Sequence, residues 1–317
     1  MKAIGGYFEL EINNFGTLYH DDAIALNTGR NSLEHILLCK RYKQVHIPYY
    51  TCDVILEPFK KHSISYSFYR IDKNFKPIIN SIGSNEALLY TNYFGLMFNN
   101  IVELKKSIPN LIIDNAQAFY DKPIDRIPTF YSPRKFFGLP DGGFVYHANE
   151  LSIESYPLSI SENRISHLIT RIEQTAEAGY QKFKENDAAL IDQTVKTMSK
   201  LTLKLMNGID YQQVKARRIA NFNLLHEHLK SKNELSSIIE KAVITCPMIY
   251  PFLNKEGIVF RKRLLGRNIF TAQYWPGVID RVKKNSRELY LLNNLISLPI
   301  DQRYSKREMD ALINLIV

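Results

Sequence analysis

An acidic residue that follows a predicted buried strand is the first candidate for chemistry in this sequence. Residues 111–119 read LIIDNAQAF, so Asp114 comes directly after an apolar run that a sheet would bury. A buried carboxylate is costly unless a cation or hydrogen-bond donors accompany it. One suitable cation is the protonated pyridine nitrogen of pyridoxal phosphate (PLP), because an ionised aspartate keeps that ring positive and able to accept electrons. The alternative, more frequent for such a feature alone, is a strand-end aspartate that caps a turn.

A lysine in an apolar and cationic setting is the second candidate. Residues 129–146 read TFYSPRKFFGLPDGGFVY, which places Lys135 between Arg134 and two phenylalanines. Such surroundings favour the neutral amine, which is the protonation state that reacts with an aldehyde to give a Schiff base. The Asp-Gly-Gly sequence at 141–143 then predicts a tight turn into another strand. A lysine beside aromatic residues is otherwise more often a surface residue, so the hypothesis depends on its combination with Asp114.

A turn that opens a helix is the third candidate. Residues Thr28, Gly29 and Arg30 precede a pattern at 32–40 that predicts a helix. The free amides and positive dipole end of a helix N-terminus can hold a phosphate, and Arg30 adds a cation with several donors. The same sequence is equally compatible with an ordinary helix start.

Strands and helices alternate in the first half of the sequence, a pattern typical of a mostly parallel sheet with helices around it. Strands are predicted at 44–48, 63–71, 87–92, 111–114, 128–131 and 143–147, and helices at 32–40 and 53–61. Ligands of open α/β sheets gather outside the carboxyl ends of the strands. The residues that follow these runs are therefore expected to share one edge of the sheet.

The pattern becomes helical beyond about residue 161, and a smaller unit is predicted to close the chain. Strands are predicted there at 242–245, 257–260 and 294–299, followed by a helix that Ser305 and Glu308 cap. The predicted fold class is α/β, with a large domain at 1–160, a helical connecting segment at 161–230 and a small C-terminal α+β domain at 231–317.

Composition excludes disorder and leaves several partner classes open. The chain has 317 residues, and 41 Lys and Arg against 32 Asp and Glu give a net charge of +9. That excess suits nucleic acid, anionic lipid or a phosphorylated small molecule. Three scattered cysteines predict neither a disulfide framework nor a zinc site, and no other residues have metal-ligand spacing, so we expect no metal. The sequence shows no signal peptide and no apolar run of roughly 18 residues, so a cytoplasmic protein that does not bind membranes is expected.

Together the three candidate segments resemble the DegT/DnrJ/EryC1/StrS family of PLP-dependent sugar aminotransferases, whose architecture is fold type I, like that of aspartate aminotransferase. The family's Asp-x-Ala-His/Gln-Ala motif resembles residues 114–118, its lysine and glycine-rich segment resemble 135–143, and its Ser-Gly-Thr turn resembles 28–30. Further similarity at 47–51 and at the Leu-Pro-Ile sequence 298–300 extends the resemblance over most of the chain.

The resemblance implies a set of site residues. Lys135 would form the Schiff base, Asp114 would pair with the pyridine nitrogen, and Gln117 would contact the cofactor ring. The residues implied in holding the phosphate are Thr28, Gly29, Arg30 and a hydroxyl from Ser132 or Thr129. Cys52 stands where the family often has an aromatic residue that stacks on the ring, so Tyr49 or Tyr50 would have to cover it. Residues with a weaker implied role are Arg134, Tyr93, Gln273 and Tyr274 toward the substrate, and Asn163 and Arg164 toward the phosphate of a neighbouring subunit.

The function implied by the resemblance is transfer of an amino group from a donor such as glutamate to a nucleotide-linked keto-sugar, in cell-surface polysaccharide or lipopolysaccharide biosynthesis. A homodimer is expected on the same basis. Two alternatives remain. One is a regulatory or scaffold protein that keeps the fold without transamination, and the other is a nucleic-acid or membrane-surface protein, suggested only by basic clusters at 261–263 and 281–284. No nucleic-acid motif accompanies those clusters, and we expect no nucleic-acid partner.

Overall fold

Short, strongly apolar runs form the central sheet of the computed structural model, which describes residues 6–16 and 18–316. The strands of this sheet are β1 (Ile24–Leu26), β2 (Gln44–Pro48), β3 (Ser65–Ile71), β4 (Pro77–Ile78), β5 (Glu86–Thr91), β6 (Leu111–Asp114), β7 (Thr129–Tyr131) and β8 (Gly143–Tyr146). A second, two-stranded antiparallel sheet contains β9 (Tyr250–Leu253) and β10 (Leu295–Leu298). The prediction about a signal peptide concerns the N-terminus, whose first five residues lie outside the described residues.

The order of the large sheet is β1-β8-β7-β6-β5-β2-β3-β4. Its five central strands, from β7 to β3, run parallel, while β8, β1 and β4 pair with their neighbours in antiparallel fashion. In the register, Thr91 of β5 lies opposite Asp114 of β6, and Asp114 lies opposite Phe130 of β7. The carboxyl ends of these strands therefore form one row, where open parallel sheets bind ligands.

Eleven α-helices are found in the described residues. They are α1 (Gly29–Lys40), α2 (Glu57–Lys61), α3 (Phe98–Ser107), α4 (Ser166–Glu173), α5 (Ala176–Ala189), α6 (Lys200–Asn207), α7 (Tyr211–Leu229), α8 (Ser236–Lys241), α9 (Gly257–Leu265), α10 (Arg287–Asn294) and α11 (Lys306–Ile316). Short 3₁₀ turns that matter for the site lie at Asp53–Leu56, Pro133–Lys135 and Glu162–Arg164. Among the described residues, no helix is both long enough and apolar enough to cross a lipid bilayer.

The sheet is covered on both faces, as its continuously apolar strands require. Alternate residues of β6 point to opposite layers, so that Ile112 joins one hydrophobic cluster with Leu89, and Ile113 joins the other with Tyr90. The first cluster packs beneath α1 and the second extends to the C-terminal helices. A mainly parallel sheet between helical layers agrees with the predicted α/β class, whereas the three domain boundaries remain predictions.

Secondary structure matches the prediction well in the large sheet, and the strand predicted at 294–299 is confirmed as β10, whereas the prediction fails between residues 242 and 260. The predicted strand at 242–245 is a loop, and the one at 257–260 is wrong because these residues begin α9. Burial of Phe260 and Leu264, four residues apart, satisfies a helix rather than a strand at that position. Strands β1, β4 and β9 were not predicted. The cap of α11 is confirmed, since the amide of Ser305 donates to Glu308 at 2.8 Å.

Asp121 supplies a test of the packing near the site. Its carboxylate is 4% exposed, and Asn92 Nδ2 donates to it at 2.8 Å. Burial raises the pKa of Asp121 from 3.8 to about 6. Between these values the folded protein holds a proton that the unfolded chain has released.

Wild-type stability is therefore expected to fall, relative to an Asp121→Asn variant, by about 2–3 kcal/mol as the pH rises from about 4 to 7. Urea unfolding of both proteins across this pH range measures the difference. A gap between the two free energies of unfolding that does not change with pH would show that Asp121 titrates normally in the folded protein.

Candidate active site

A cavity of about 490 Å³ opens at the carboxyl ends of the parallel strands, and we call it the strand-end cavity. Cys52 follows β2, Asp114 ends β6, and Ser132 follows β7, so three strands of the parallel part of the sheet each bring a polar or sulfur-containing side chain to its wall. Its volume lies within the roughly 300–1,000 Å³ typical of small-molecule sites. The edge of the sheet predicted from the sequence is therefore a site of the right size for a ligand.

Asp114 is held rigidly at the bottom of this cavity. Its Oδ1 accepts from the amide of Ala116 at 2.8 Å, and Oδ2 accepts from Thr91 Oγ1 at 3.3 Å. The carboxyl group is 7% exposed, and burial raises its pKa, while the positive charge of Lys135 acts in the opposite direction. The site thus contains an oriented carboxylate that a further cation would stabilise.

Lys135 ends the 3₁₀ turn that follows β7. Phe136 and Phe137, which come next, are buried and anchor this turn in the core, while the lysine side chain remains exposed and lines the strand-end cavity. Among the described residues, its Nζ forms no hydrogen bond and no ion pair. The amine is therefore free to react with a ligand in the cavity.

The start of α1 forms a cradle beside Lys135. Thr28 caps the helix, and its Oγ1 accepts from the amide of Asn31 at 3.0 Å. The amide of Arg30 has no acceptor in the part of the chain that the structure describes, and a parallel bridge between Thr28 and Gly142 joins the residue before α1 to the Asp-Gly-Gly turn. A Cβ at Gly29 would lie 3.1 Å from Ser132 Cβ, so glycine allows the start of α1 to pack closely against Ser132. The helix N-terminus and the Ser132 hydroxyl can together hold an anion such as phosphate.

The guanidinium of Arg30 is engaged elsewhere. Its Nη1 forms an ion pair with Glu57 of α2 at 2.5 Å, and Glu57 also accepts from the amide of Asp192 at 2.9 Å. Arg30 still lines the cavity. Its contribution to anion binding in this arrangement comes from its backbone amide, with the side-chain charge balanced by Glu57.

Several residues that the sequence predicted lie behind the cavity wall. Tyr50 is fully buried and Tyr93 donates from its hydroxyl to the Tyr50 carbonyl at 2.9 Å, so both support the end of β2. The ring of Tyr49 stacks on Phe68 at 4.9 Å, away from the cavity. Tyr274 packs against the ring of Phe94 at 6.2 Å. None of these four tyrosines lines the strand-end cavity, although Cys52 does.

Trp275 is an aromatic residue that the structure places at the cavity wall, together with Phe130 and Phe183. It is 8% exposed, and the edge of Tyr50 packs against it at 5.1 Å. Arg281 donates to the carbonyl of Thr51 at 3.0 Å and thereby joins the loop that carries Trp275 to the end of β2. The sequence held one weak signal for this residue, which is the single tryptophan of the chain next to Tyr274.

Gln117 lies beneath Phe94 rather than at the cavity surface. Its Oε1 accepts from the amide of Phe94 at 2.8 Å, and its Nε2 is buried without an acceptor among the described residues. A buried side-chain amide without a hydrogen-bond acceptor is uncommon, and an acceptor on a bound ligand would satisfy it. The predicted contact between Gln117 and a cofactor ring therefore remains a prediction.

Arg164 interacts with its own chain. Its Nη2 donates at 3.1 Å to the fully buried carboxylate of Asp141, which also accepts from Ser159, Ser199 and Thr202. Asn163 stands beside it in the same 3₁₀ turn. Asp141 opens the Asp-Gly-Gly turn, whose Gly142 amide donates to the Asn27 carbonyl at 2.6 Å. Arg164 thus supports the turn that holds the cradle in place.

Helix α5 forms the outer wall of the strand-end cavity, a role that the sequence did not predict. Phe183, Asp187 and Leu190 at its end all line the cavity. Arg134, which precedes the lysine, donates to Asp187 at 2.7 Å and so ties α5 to the site. In this chain, the helical segment beyond residue 165 closes the cavity within the same subunit.

The described residues contain no group of three or more His, Cys, Asp or Glu side chains placed to hold a metal ion.

Solved structures that match this one include several sugar aminotransferases. CalS13 of Micromonospora echinospora matches with a TM-score of 0.65 at 14% identity, over 93% of this chain and 87% of that one. The PLP form of Spr1654 of Streptococcus pneumoniae, described as a candidate sugar aminotransferase, matches with a TM-score of 0.62 at 13% identity, over 92% and 85%.

DesI, solved in the presence of its TDP-sugar product, matches with a TM-score of 0.61 at 11% identity, over 93% of this chain and 79% of that one. The chain has the fold of these sugar aminotransferases. This likeness confirms the predicted fold type I class. No protein-family model matches the sequence, and no curated protein matches it.

An Arg164→Ala variant tests the support of the cradle. Removal of the guanidinium leaves the buried Asp141 charge without its cation, so the free energy of unfolding should fall by about 2–3 kcal/mol. Urea unfolding of the purified variant measures this change. Arg267→Ala, at an exposed arginine with no ion pair in the described part of the chain, is the matched control and should change stability by less than about 0.5 kcal/mol. Equal losses in both variants would contradict the assignment.

Proposed function

We propose that this protein is a PLP-dependent aminotransferase that moves an amino group from an amino acid donor, glutamate, to a nucleotide-linked keto-sugar. The observation that carries this proposal is the presence of a buried, oriented Asp114 carboxylate and an unpaired Lys135 amine in one cavity. A purely regulatory or scaffold role would leave the free-energy cost of burying this carboxylate without a compensating function.

The residues of the cavity fit PLP at three separate points. The start of α1 at Gly29 and Arg30 suits its phosphate, Asp114 suits its pyridine nitrogen, and Lys135 suits its aldehyde. Glycine at position 29 brings the start of α1 close to Ser132, so that the helix N-terminus and the Ser132 hydroxyl lie on the same side of the cavity. Trp275 and Cys52 offer the surfaces against which a flat ring would pack.

The cofactor, when bound, supplies an electron-accepting ring that stabilises negative charge at the donor's α-carbon. Asp114 keeps the positive charge on the ring nitrogen, because its two oxygens already accept from Ala116 and Thr91 and so face a fixed direction. The Nζ atom of Lys135 would act as the base that takes a proton from the α-carbon of the donor, and as the acid that delivers a proton to the carbon of the keto-sugar that receives the amino group. Burial of the Asp114 carboxylate excludes water that would weaken its attraction to the positive ring nitrogen.

The identity of the substrates rests on chemistry and on the relatives. A net charge of +9 suits a substrate with two phosphates, and DesI was solved with a TDP-sugar. We propose that the product enters cell-surface polysaccharide or lipopolysaccharide biosynthesis in the cytoplasm. We also propose a homodimer, because exposed isoleucines at Ile160, Ile169 and Ile172 give an apolar surface that a second copy could cover.

A Lys135→Ala variant tests the proposal directly. Wild-type protein mixed with PLP should develop an absorption band that borohydride abolishes, with the cofactor left covalently on the peptide that contains Lys135. The variant should give neither the band nor the labelled peptide, because it has no amine at this position. Absorption spectra and peptide mass spectrometry are the measurements.

The matched control is Lys106→Ala, at an exposed lysine on α3, and it should behave as wild type. If wild-type protein gains no band, or if the label appears on another lysine in both wild type and Lys135→Ala, the proposed role of Lys135 is wrong.

A further inference from the structure

A second cavity, of about 460 Å³, lies between α4 and α5 and the segment 301–303, and we call it the hairpin cavity. Three residues, Arg134, Lys135 and Phe183, line both this cavity and the strand-end cavity. A single elongated ligand could therefore place its reactive end at Lys135 and its remainder between the two helices. The proposed function uses only the strand-end cavity, so the hairpin cavity needs a separate explanation.

The hairpin cavity has a strongly positive lining. Arg134, Lys135, Arg171, Arg218 and Arg303 contribute five cationic side chains against one acidic side chain from Asp301. Arg303 and Asp301 neutralise each other through two hydrogen bonds of 2.7 and 2.8 Å. The cavity therefore keeps an excess of positive charge that favours an anionic ligand.

Arg171 is the cation at this cavity that is best placed for a ligand. It is exposed on α4 and forms no ion pair among the described residues, although Glu177 of α5 lies within range of its charge. Arg134 and Arg218, in contrast, are occupied by Asp187 and by backbone carbonyls. An unpaired guanidinium suits a phosphate because it offers several donors in one plane.

Exposed aromatic rings stand next to this charge. Tyr180 is 56% exposed and Phe183 is 41% exposed, and their rings stack at 6.4 Å on one face of α5. Lys184 places its ammonium 4.7 Å from the Tyr180 ring. His167, which is 6% exposed, lines the same cavity, and its Nδ1 is buried without a hydrogen-bond partner among the described residues. Aromatic surface, cations and one unsatisfied polar atom are thus gathered in one place.

We propose that the hairpin cavity binds the nucleoside diphosphate half of the substrate, with Tyr180 as the stacking surface for the base and Arg171 as a contact for the phosphates. An amino acid donor is too small to use both features, and a simple sugar phosphate has no flat ring for Tyr180. Base stacking on an aromatic side chain accepts any base, so the site favours a nucleotide without selecting one. The inference rests on the proposed function, since it places the sugar end at Lys135.

Isothermal titration calorimetry with uridine diphosphate and with thymidine diphosphate tests this site on the full chain, both loaded with PLP and free of it. At least one of the two should bind wild-type protein. Tyr180→Ala should weaken that binding about fivefold or more, because stacking of one base is lost. Arg171→Gln should weaken it by about threefold to tenfold and reduce its dependence on salt.

Fragments separate the two contributions. Uridine binding should weaken only in Tyr180→Ala, and pyrophosphate binding should weaken only in Arg171→Gln. Matched controls are Tyr7→Ala, at a 99% exposed tyrosine outside both cavities, and Arg267→Gln, and neither should change affinity. Thermal unfolding of each variant verifies that it is folded. Both site variants should fold, because the side chains of Tyr180 and Arg171 are exposed.

The results separate the two proposals. If neither nucleotide binds, if both site variants bind as wild type, or if the variants alter glutamate binding alone, the hairpin cavity is not the nucleotide site, even when PLP labels Lys135. If a nucleotide binds in a manner that depends on Tyr180 and Arg171 while PLP fails to label Lys135, the nucleotide site stands and the aminotransferase proposal falls.

Discussion

The buried carboxylate of Asp114 is the constraint on which the site depends. Parallel strands on both sides remove it from water, so its charge must be balanced by hydrogen bonds and by a cation. The amide of Ala116 and the hydroxyl of Thr91 provide the hydrogen bonds, and Lys135 provides part of the positive charge. The fold therefore places a buried anion, which a cationic ring would stabilise, at the carboxyl ends of the strands.

The rest of the structure positions other groups around this carboxylate. The Asp141 turn, held by Arg164 and three hydroxyls, fixes the start of α1, whose first residues line the cavity. Helix α5 then closes the outer side through the Arg134–Asp187 ion pair. Because α5 belongs to the same chain, the strand-end cavity and the hairpin cavity are both walled by one subunit. The residues that would bind a ligand and the residues that determine the shape of the cavities thus come from different parts of the sequence.

Local chemistry was predictable from sequence, and long-range packing was not. Asp114, Gly29 and Lys135 line the strand-end cavity, and each stands at a strand end, a helix start or a turn, which short patterns reveal. Trp275 and Phe183 reach the cavity through the packing of distant segments, which local sequence patterns do not predict. Residues 257–260 favour a strand by composition, yet burial of Phe260 and Leu264 against the C-terminal core makes them a helix. Tyr50 and Tyr93 are fully buried in the core and Tyr49 stacks on Phe68, so these tyrosines do not line the cavity.

The most direct test of the central claim is the protonation state of the ring nitrogen in bound PLP, measured by NMR with nitrogen-15 in the pyridine ring. In wild-type protein the resonance should have the chemical shift of a protonated ring nitrogen, because Asp114 stabilises that charge. In Asp114→Asn it should move to the shift of the neutral ring. An unprotonated ring in wild type, or identical shifts in both proteins, would contradict the pairing of Asp114 with the cofactor.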